Sequence, residues 1–332
     1  MSKKQALGQF FSTNVRELLE GFELPRDVPY VELCAGALDL VFYAGAERFG
    51  DRIYDVDPTH SSITKRDTLL NPVSLVGKFL MLNPPYLAKK KATDKRAFAK
   101  YGQDDLYKCY VKALINDPPA GGVLIVPLNF LCGHVKGTVN LRREFVQTFR
   151  VARVNVFEKQ MFKDTTIPVC TILFHKSVGN TKKSFPAFIF RDQVAEQPEK
   201  VRLRLSERNN FTIGELRKYR SKHYTIKPCT AKSAKPNSAL CLKAADTSRI
   251  QRLRMTLNPT TNAGSRTMKC YCITPRLSEA DEKRVCKYFN KKLKKWRRKH
   301  HGLCLTAWFD NRRKRMNFSQ AESLLNKAVD RL

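Results

Sequence analysis

Four consecutive residues, Asn83-Pro84-Pro85-Tyr86, carry the sharpest chemical signal in this 332-residue chain. They follow the apolar run Phe79-Leu80-Met81-Leu82, which places them on the loop at the carboxyl end of a strand. Open α/β sheets bind ligands at that point. The chemistry that suits the tetrad is alkylation of an aromatic amino group. The exocyclic nitrogen of adenine is a poor nucleophile, because its lone pair is delocalised into the ring. Acceptors from the Asn83 side chain and the Pro84 carbonyl would hold both N–H groups and steer that lone pair towards an incoming methyl. Two prolines stiffen the loop and leave its carbonyls free to accept. Tyr86 would offer an aromatic face to a base flipped out of its stack. The alternative is an ordinary Asn-Pro-Pro turn carrying a surface tyrosine.

Positioning such a loop takes a sheet, and the first half of the chain reads as one. Runs at 30–34, 52–56, 79–82, 123–127, 151–157 and 168–174 are apolar and often β-branched, as strands are. Helix-like segments lie between them around 13–20, 39–48, 106–116 and 141–149. In the third, Leu106, Tyr107, Tyr110 and Leu114 share a face. This alternation predicts a mostly parallel sheet covered on both sides. The last two runs are separated by only ten residues, 158–167, too few for a helical crossover. They are expected to pair antiparallel.

Past residue 178 the pattern loosens. Segments 227–249 and 256–267 are polar with Pro, Asn and Ser, and read as loops or linkers. Two helices follow. Ser278 with Asp281 resembles a capping box ahead of Val285, Phe289, Leu293 and Trp296, and Ser319 with Glu322 repeats the signal.

Charge divides the chain the same way. The formal net charge is +32, far more than solubility needs, and such a field attracts polyanions. Residues 1–178 carry 25 Lys/Arg against 18 Asp/Glu, whereas 179–332 carry 37 against 12. Residues 287–315 hold twelve basic side chains against one acid, Asp310, with aromatic residues interleaved. A helix with so one-sided a basic face suits a phosphate backbone. The expected contacts are Lys291, Lys292, Lys294, Lys295, Arg297, Arg298, Lys299, Arg312, Arg313, Lys314 and Arg315. Lys89, Lys90 and Lys91, just beyond the tetrad, could hold phosphates beside a flipped base, or form a plain basic loop.

The ten cysteines are scattered, which suits free thiols in a reducing compartment. Cys270, Cys272, Cys286, Cys304, His300 and His301 fit no usual zinc spacing, so no metal is expected. Cys34 and Cys170 fall in apolar runs and read as core. Met1-Ser-Lys-Lys opens no signal peptide and no apolar run reaches membrane-spanning length, so the expectation is a soluble, intracellular protein, cytoplasmic or nucleoid-associated.

Seven motifs in a fixed order give the tetrad its context. Leu7-Gly8-Gln9-Phe10-Phe11-Ser12-Thr13, Glu32-Leu33-Cys34-Ala35-Gly36-Ala37-Leu38-Asp39, Tyr54-Asp55-Val56-Asp57-Pro58, Arg66-Asp67-Thr68-Leu69-Leu70, the tetrad, Asp105-Leu106-Tyr107 with 121–127, and Met161-Phe162 span residues 7–174. Together they resemble the amino-methyltransferases, in particular the gamma-class DNA adenine enzymes of restriction–modification type. The resemblance implies S-adenosylmethionine as cofactor. Gln9, Phe10, Phe11 and Thr13 would close over its methionine part, and Glu32 would face the ammonium beside Ala35 and Gly36. Asp55 and Val56 would hold the ribose side, Asp67 and Thr68 the adenine amino group, with Asn83 at the methyl. Tyr86 and Phe162 would stack on the two faces of the target base. The family usually has glycine where this chain has Leu38, and a side chain there would crowd the cofactor or shift the turn.

The resemblance therefore implies a Rossmann-like methyltransferase sheet, mostly parallel with its last strand antiparallel, and a smaller basic C-terminal α+β region. Residues 1–178 would be catalytic and 179–332 would grip nucleic acid and recognise the target. The leading expectation is a site-specific DNA adenine N6-methyltransferase, with a companion restriction nuclease as a candidate partner. An RNA adenine methyltransferase is the second reading, and a non-catalytic basic DNA-binding protein on the same fold is the third.

Overall fold

Short β-branched and aromatic runs separated by amphipathic helices do assemble into one mixed sheet. The computed structural model describes residues 8, 14–133, 135–157, 159–162, 167–177, 183–190, 197–205, 207, 211–213, 218–229, 236–243, 254–257, 268–300 and 318–332, with the backbone alone at 243, 254, 268, 297–300 and 318. The chain forms two compact units, Met1–Ile213 with Thr306–Arg312, and Gly214–Leu305 with Arg313–Leu332.

In the first unit the strands are β1 (Tyr30–Glu32), β2 (Tyr54–Asp55), β3 (Thr64–Lys65), β4 (Phe79–Leu82), β5 (Gly121–Pro127), β6 (Phe149–Phe157), β7 (Val169–Lys176), β8 (Ser184–Phe190) and β9 (Glu199–Arg204). Seven of them form a sheet in the order β1-β4-β5-β7-β6-β8-β9. The β2–β3 pair lies beyond β1, linked by a parallel bridge between Glu32 and Ile53. Neighbours β1, β4 and β5 are parallel, while β7 runs antiparallel to both β5 and β6. The order from β3 to β6 is thus the Rossmann-like arrangement expected, mostly parallel with one reversed strand. The reversed strand sits inside the sheet, because the tight return from β6 inserts β7 between β5 and β6.

The helices α1 (Val15–Leu18), α2 (Asp39–Ala44), α3 (Arg96–Tyr101), α4 (Leu106–Asn116), α5 (Asn129–Cys132) and α6 (Lys136–Thr148) connect or flank these strands. Strand β4 is buried throughout, as is β5, which fits strands covered on both faces. In α4, Tyr107, Tyr110 and Leu114 are buried, and Leu106 reaches a cavity.

The first unit continues past the boundary expected at residue 178. Strands β8 and β9 extend the sheet beyond β6, with Phe185, Ala187 and Ile189 buried on alternate positions. Lys and Arg at the exposed positions of β9 disguise its period of two in the sequence. The segment after β9 is anchored by Arg142 of α6. Its buried guanidinium donates to the Phe211 carbonyl, to Phe130 O at 2.6 Å, to Gly133 O at 2.8 Å and to the Thr212 hydroxyl at 2.6 Å.

The second unit holds β10 (Thr225–Pro228), β11 (Leu240–Lys243), β12 (Arg254–Leu257) and β13 (Met268–Thr274) in an antiparallel sheet ordered β10-β13-β11-β12. Segments 227–249 and 256–267, expected to be loops, thus contribute strands. Each strand is short and flanked by turn-forming residues, so composition over the wider window hides it. Helices α7 (Glu279–His300) and α8 (Phe318–Val329) complete the unit. Val285, Phe289, Leu293 and Trp296 of α7 join Leu324, Leu325 and Val329 of α8 and Tyr271 and Ile273 of β13 in its core. Ser278 caps α7 as expected, its hydroxyl accepting the Asp281 N–H at 3.1 Å. The second capping box does not form, since Ser319 lies inside α8 and Glu322 pairs with Lys269 at 3.0 Å. No described helix is long and apolar enough to cross a membrane.

Candidate active site

A cavity of about 260 Å³ opens where the loops after β1, β2 and β4 converge in the first unit. Glu32, Ala35, Gly36, Asp55, Val56, Asp67 and Asn83 all line it, so residues up to 51 positions apart in sequence meet in one place. Its charge is its defining property. Glu32, Asp39, Asp55, Asp67 and Asp94 are on the wall, and among the described residues no Lys or Arg is, in a protein of net charge +32.

Glu32 ends β1 and is 1% exposed. Burial pushes its carboxyl well above the usual range, and the nearby Asp55 and Asp39 push it the same way. Its Oε2 is buried without a hydrogen-bond partner. A cationic ligand group is what such an oxygen can use. Asp55 is held from behind: its Oδ2 accepts the Gly36 N–H at 3.0 Å and its Oδ1 accepts the Asp57 N–H at 2.8 Å. These bonds tie the first loop to the second and fix the carboxylate's direction. Asp67 Oδ1 accepts the N–H groups of Leu69 and Leu70, each at 3.0 Å.

Leu38 does not obstruct the cavity. It adopts the left-handed conformation, φ 65° and ψ 14°, that glycine would favour, and its side chain is buried at 4% exposure. The wall includes Ala37 and Asp39 on either side of Leu38 but not Leu38 itself. The turn is therefore kept, at a strain of about 1 kcal/mol or more.

The tetrad is not a surface turn. Tyr86 is 4% exposed, and its hydroxyl lies 3.0 Å from Asn83 Oδ1 and 3.2 Å from the Ile125 carbonyl. The Tyr86–Asn83 bond orients the carboxamide whose oxygen matters most for an amino substrate. Gly8 meets this loop from the N-terminal motif, its carbonyl accepting the Tyr86 N–H at 2.9 Å. Gly8 has φ +69°, and a Cβ there would come within 2.8 Å of the Tyr86 carbonyl oxygen, so glycine is required. Gln9, Phe10, Phe11 and Thr13 lie outside the described residues.

Other expected residues fall elsewhere. Thr68 does not line the cavity; it is buried, with its hydroxyl near Leu33 O and the Tyr110 hydroxyl. Pro84 is buried beside Asn83, while Pro85 reaches the cavity. The Tyr86 and Phe162 rings are together, with centroids 6.5 Å apart, but stand at 74°. Sandwiching a base between them requires one ring to turn. Cys34 follows β1 rather than lying within it and lines the cavity, unlike Cys170, which is buried in β7. Among the described residues no three metal-ligating side chains converge.

Sequence reasoning missed Asp39 and the stretch from Ala92 to Ala97, which closes one side of the cavity. Asp39 lay within a quoted motif, but residues 92–97 carry no pattern that betrays them. In the second unit, Lys291, Lys292, Lys294 and Lys295 are exposed on α7 beside its buried apolar stripe. Lys89, Lys90 and Lys91 are also exposed. The side chains of Arg297, Arg298 and Lys299, and all of Arg312, Arg313, Lys314 and Arg315, lie outside the described residues.

No protein-family model matches the sequence, and no curated protein matches it. Among solved structures, it is similar to a modification subunit of a putative type I restriction enzyme from Vibrio vulnificus YJ016. That match has 10% identity and a TM-score of 0.49 over 62% of this chain and 58% of the other. The type IIG restriction endonuclease BpuSI matches at 12% identity and TM-score 0.42, over 68% of this chain and 36% of the other. A type I methyltransferase subunit from Streptococcus thermophilus matches at 14% identity and TM-score 0.37, over 58% and 50%. The chain thus spans about a third to three fifths of the length of these proteins. At such identities and TM-scores the matches carry no argument about function, which has to come from the site.

Proposed function

We propose that the first unit binds S-adenosylmethionine in the acid-lined cavity and transfers its methyl group to the exocyclic amino nitrogen of an adenine in DNA. One observation carries this reading: a wall of five acidic side chains on which, among the described residues, no Lys or Arg lies, although Arg96 pairs with Asp94 beside it, within a strongly basic protein. Such a wall repels phosphate-bearing cofactors and favours a cationic one. S-adenosylmethionine bears an ammonium and a sulfonium against one carboxylate, and it supplies a methyl on a sulfur that is already an activated leaving group.

Each residue then has a definite task. The unpartnered Glu32 oxygen takes the ammonium, and Asp55, its carboxylate fixed by the Gly36 and Asp57 N–H groups, accepts from the ribose hydroxyls. Val56, 39% exposed at the rim, offers apolar surface to the cofactor's adenine, and Asp67 accepts from its amino group. Asn83 Oδ1, oriented by the Tyr86 hydroxyl, accepts one N–H of the target amine, while the Pro84 carbonyl accepts the other. As the new N–C bond forms, the C–S bond breaks, and the surplus proton on nitrogen leaves to water. Positioning two bound reactants in line supplies on the order of 7–11 kcal/mol at best.

The basic second unit grips DNA through the exposed lysines of α7, joined by Lys89–Lys91 beside the loop. A restriction nuclease is the partner this reading implies. The deciding experiment is transfer of labelled methyl to double-stranded DNA, with RNA in parallel and Asn83→Ala as control. N6-methyladenine in DNA, abolished by the substitution, is the expected result. Label in RNA alone reassigns the substrate, and no transfer with DNA still bound tightly overturns the enzymatic reading.

A further inference from the structure

Three strands of the second unit gather cysteines that the sequence scatters. Tyr271 and Ile273 of β13, with Leu240 and Leu242 of β11, are buried in the core against α7 and α8. Side chains alternate along a strand, so Cys270, Cys272 and Cys241 share the opposite face. Cys229 follows β10 directly and joins them, its N–H donating to the Cys270 carbonyl at 2.9 Å. The four sulfurs lie in two pairs. Cys241 and Cys270 are 2.8 Å apart, and Cys229 and Cys272 are 3.2 Å apart. Cys109, Cys132 and Cys286, by contrast, point their thiols at backbone carbonyls.

Pairs this close suit a direct sulfur–sulfur bond better than a bridging metal. Zinc holds each thiolate at about 2.3 Å in a tetrahedron, which keeps neighbouring sulfurs about 3.8 Å apart. Both pairs are closer than that, and among the described residues no three ligands converge. The pairs differ in access. Cys241 and Cys270 are fully buried, whereas Cys272 is half-buried and open to a small oxidant. Burial pushes the Cys229 thiol up to about 12, so it keeps its proton and leaves the first oxidation to Cys272.

We propose that Cys229 and Cys272 are a redox-active pair, which hydrogen peroxide converts to a disulfide that staples the end of β10 to β13. Peroxide oxidises the Cys272 sulfur to the sulfenic acid and is itself reduced to water. The Cys229 sulfur then bonds the Cys272 sulfur. The sulfenic hydroxyl leaves with the Cys229 thiol proton as a second water. A reducing thiol reverses the bond by exchange. The staple acts on β10, which lies at the edge of the sheet beside β13 with three of its four residues exposed.

The test takes the full chain, reduced and then exposed to dilute hydrogen peroxide, with remaining thiols alkylated before digestion without reductant. Mass spectrometry is expected to find Cys229 and Cys272 joined in one peptide pair, ahead of any link through Cys241 or Cys270. Dithiothreitol should release that pair. The disulfide should also shift the thermal midpoint upward, because it closes a long loop of the unfolded chain. Cys272→Ser should abolish both the link and the shift. Cys229→Ser should leave Cys272 as a sulfenic acid that dimedone traps. If Cys229 and Cys272 stay separate in the oxidised wild type, or join other cysteines instead, the inference is overturned. Zinc bound stoichiometrically to the reduced wild type, shielding both thiols from peroxide, overturns it as well. These readouts involve neither methyl transfer nor DNA, so the pair stands or falls separately from the proposed function.

Discussion

Asp105 shows what a single buried carboxyl does to a protein's stability. Burial raises its folded pKa to about 7, against an ordinary carboxyl value of 3.8. The sign follows from linkage: the folded state binds the proton more tightly, so stability is highest below the unfolded pKa. It is lost progressively as pH rises from about 4 to about 7. Replacing Asp105 by Asn removes that loss. Asp105→Asn should raise the thermal midpoint clearly at pH 8 and much less at pH 5, corresponding to at most about 4 kcal/mol. Equal shifts at both pH values would mean the carboxyl is not held up by its surroundings. Leu38 makes a second point at this scale. Its left-handed backbone with the side chain turned into the core shows that a motif glycine can be replaced when the new side chain has somewhere apolar to go.

Arg142 acts between elements. It sits on α6, yet its hydrogen bonds hold the backbone of α5 and the chain after β9, including Phe211 and Thr212. Removing it leaves several buried oxygens unpaired at once. Arg142→Ala should lower unfolding stability by about 3–5 kcal/mol, read as a shift of the denaturant midpoint with little change in slope. A change under about 1 kcal/mol would show that water replaces the guanidinium. The elements themselves were readable to different degrees. Strand β4 and helix α4 have the bounds expected from their apolar runs, because each is a strong periodic pattern with clear ends. Strands β3 and β8 to β13 were not read: β3 and β10 to β12 are four residues or fewer, β9 alternates with Lys and Arg, and β8 carries a proline that breaks its apolar run.

Across the whole molecule the contrast is between an acid-lined cavity and a basic exterior. Under the proposed function the exterior governs how the chain meets DNA, because each phosphate contact releases counterions. Affinity for duplex DNA should fall on the order of a thousandfold between about 50 and 200 mM salt if about six phosphates are engaged. Replacing Lys291, Lys292, Lys294 and Lys295 with Gln should reduce the slope of log affinity against log salt by about one for each that touches phosphate. An unchanged slope would place the grip elsewhere.

The sequence alone picked out residues that line the cavity of the first unit and the strands that carry them. Residue type and short-range periodicity are local properties, and Asn83, Glu32, Asp55 and Asp67 each sit in a readable local pattern. It also determined the excess of positive charge, which composition states directly. Only the tertiary structure decided where charge is absent. Five acids from distant loops share one wall, with no Lys or Arg among the described residues on it, because the sheet brings the ends of β1, β2 and β4 together. Glu32 is of the same kind: its motif was legible, but that its Oε2 is buried without a hydrogen-bond partner is a fact about everything packed around it, which no stretch of sequence contains.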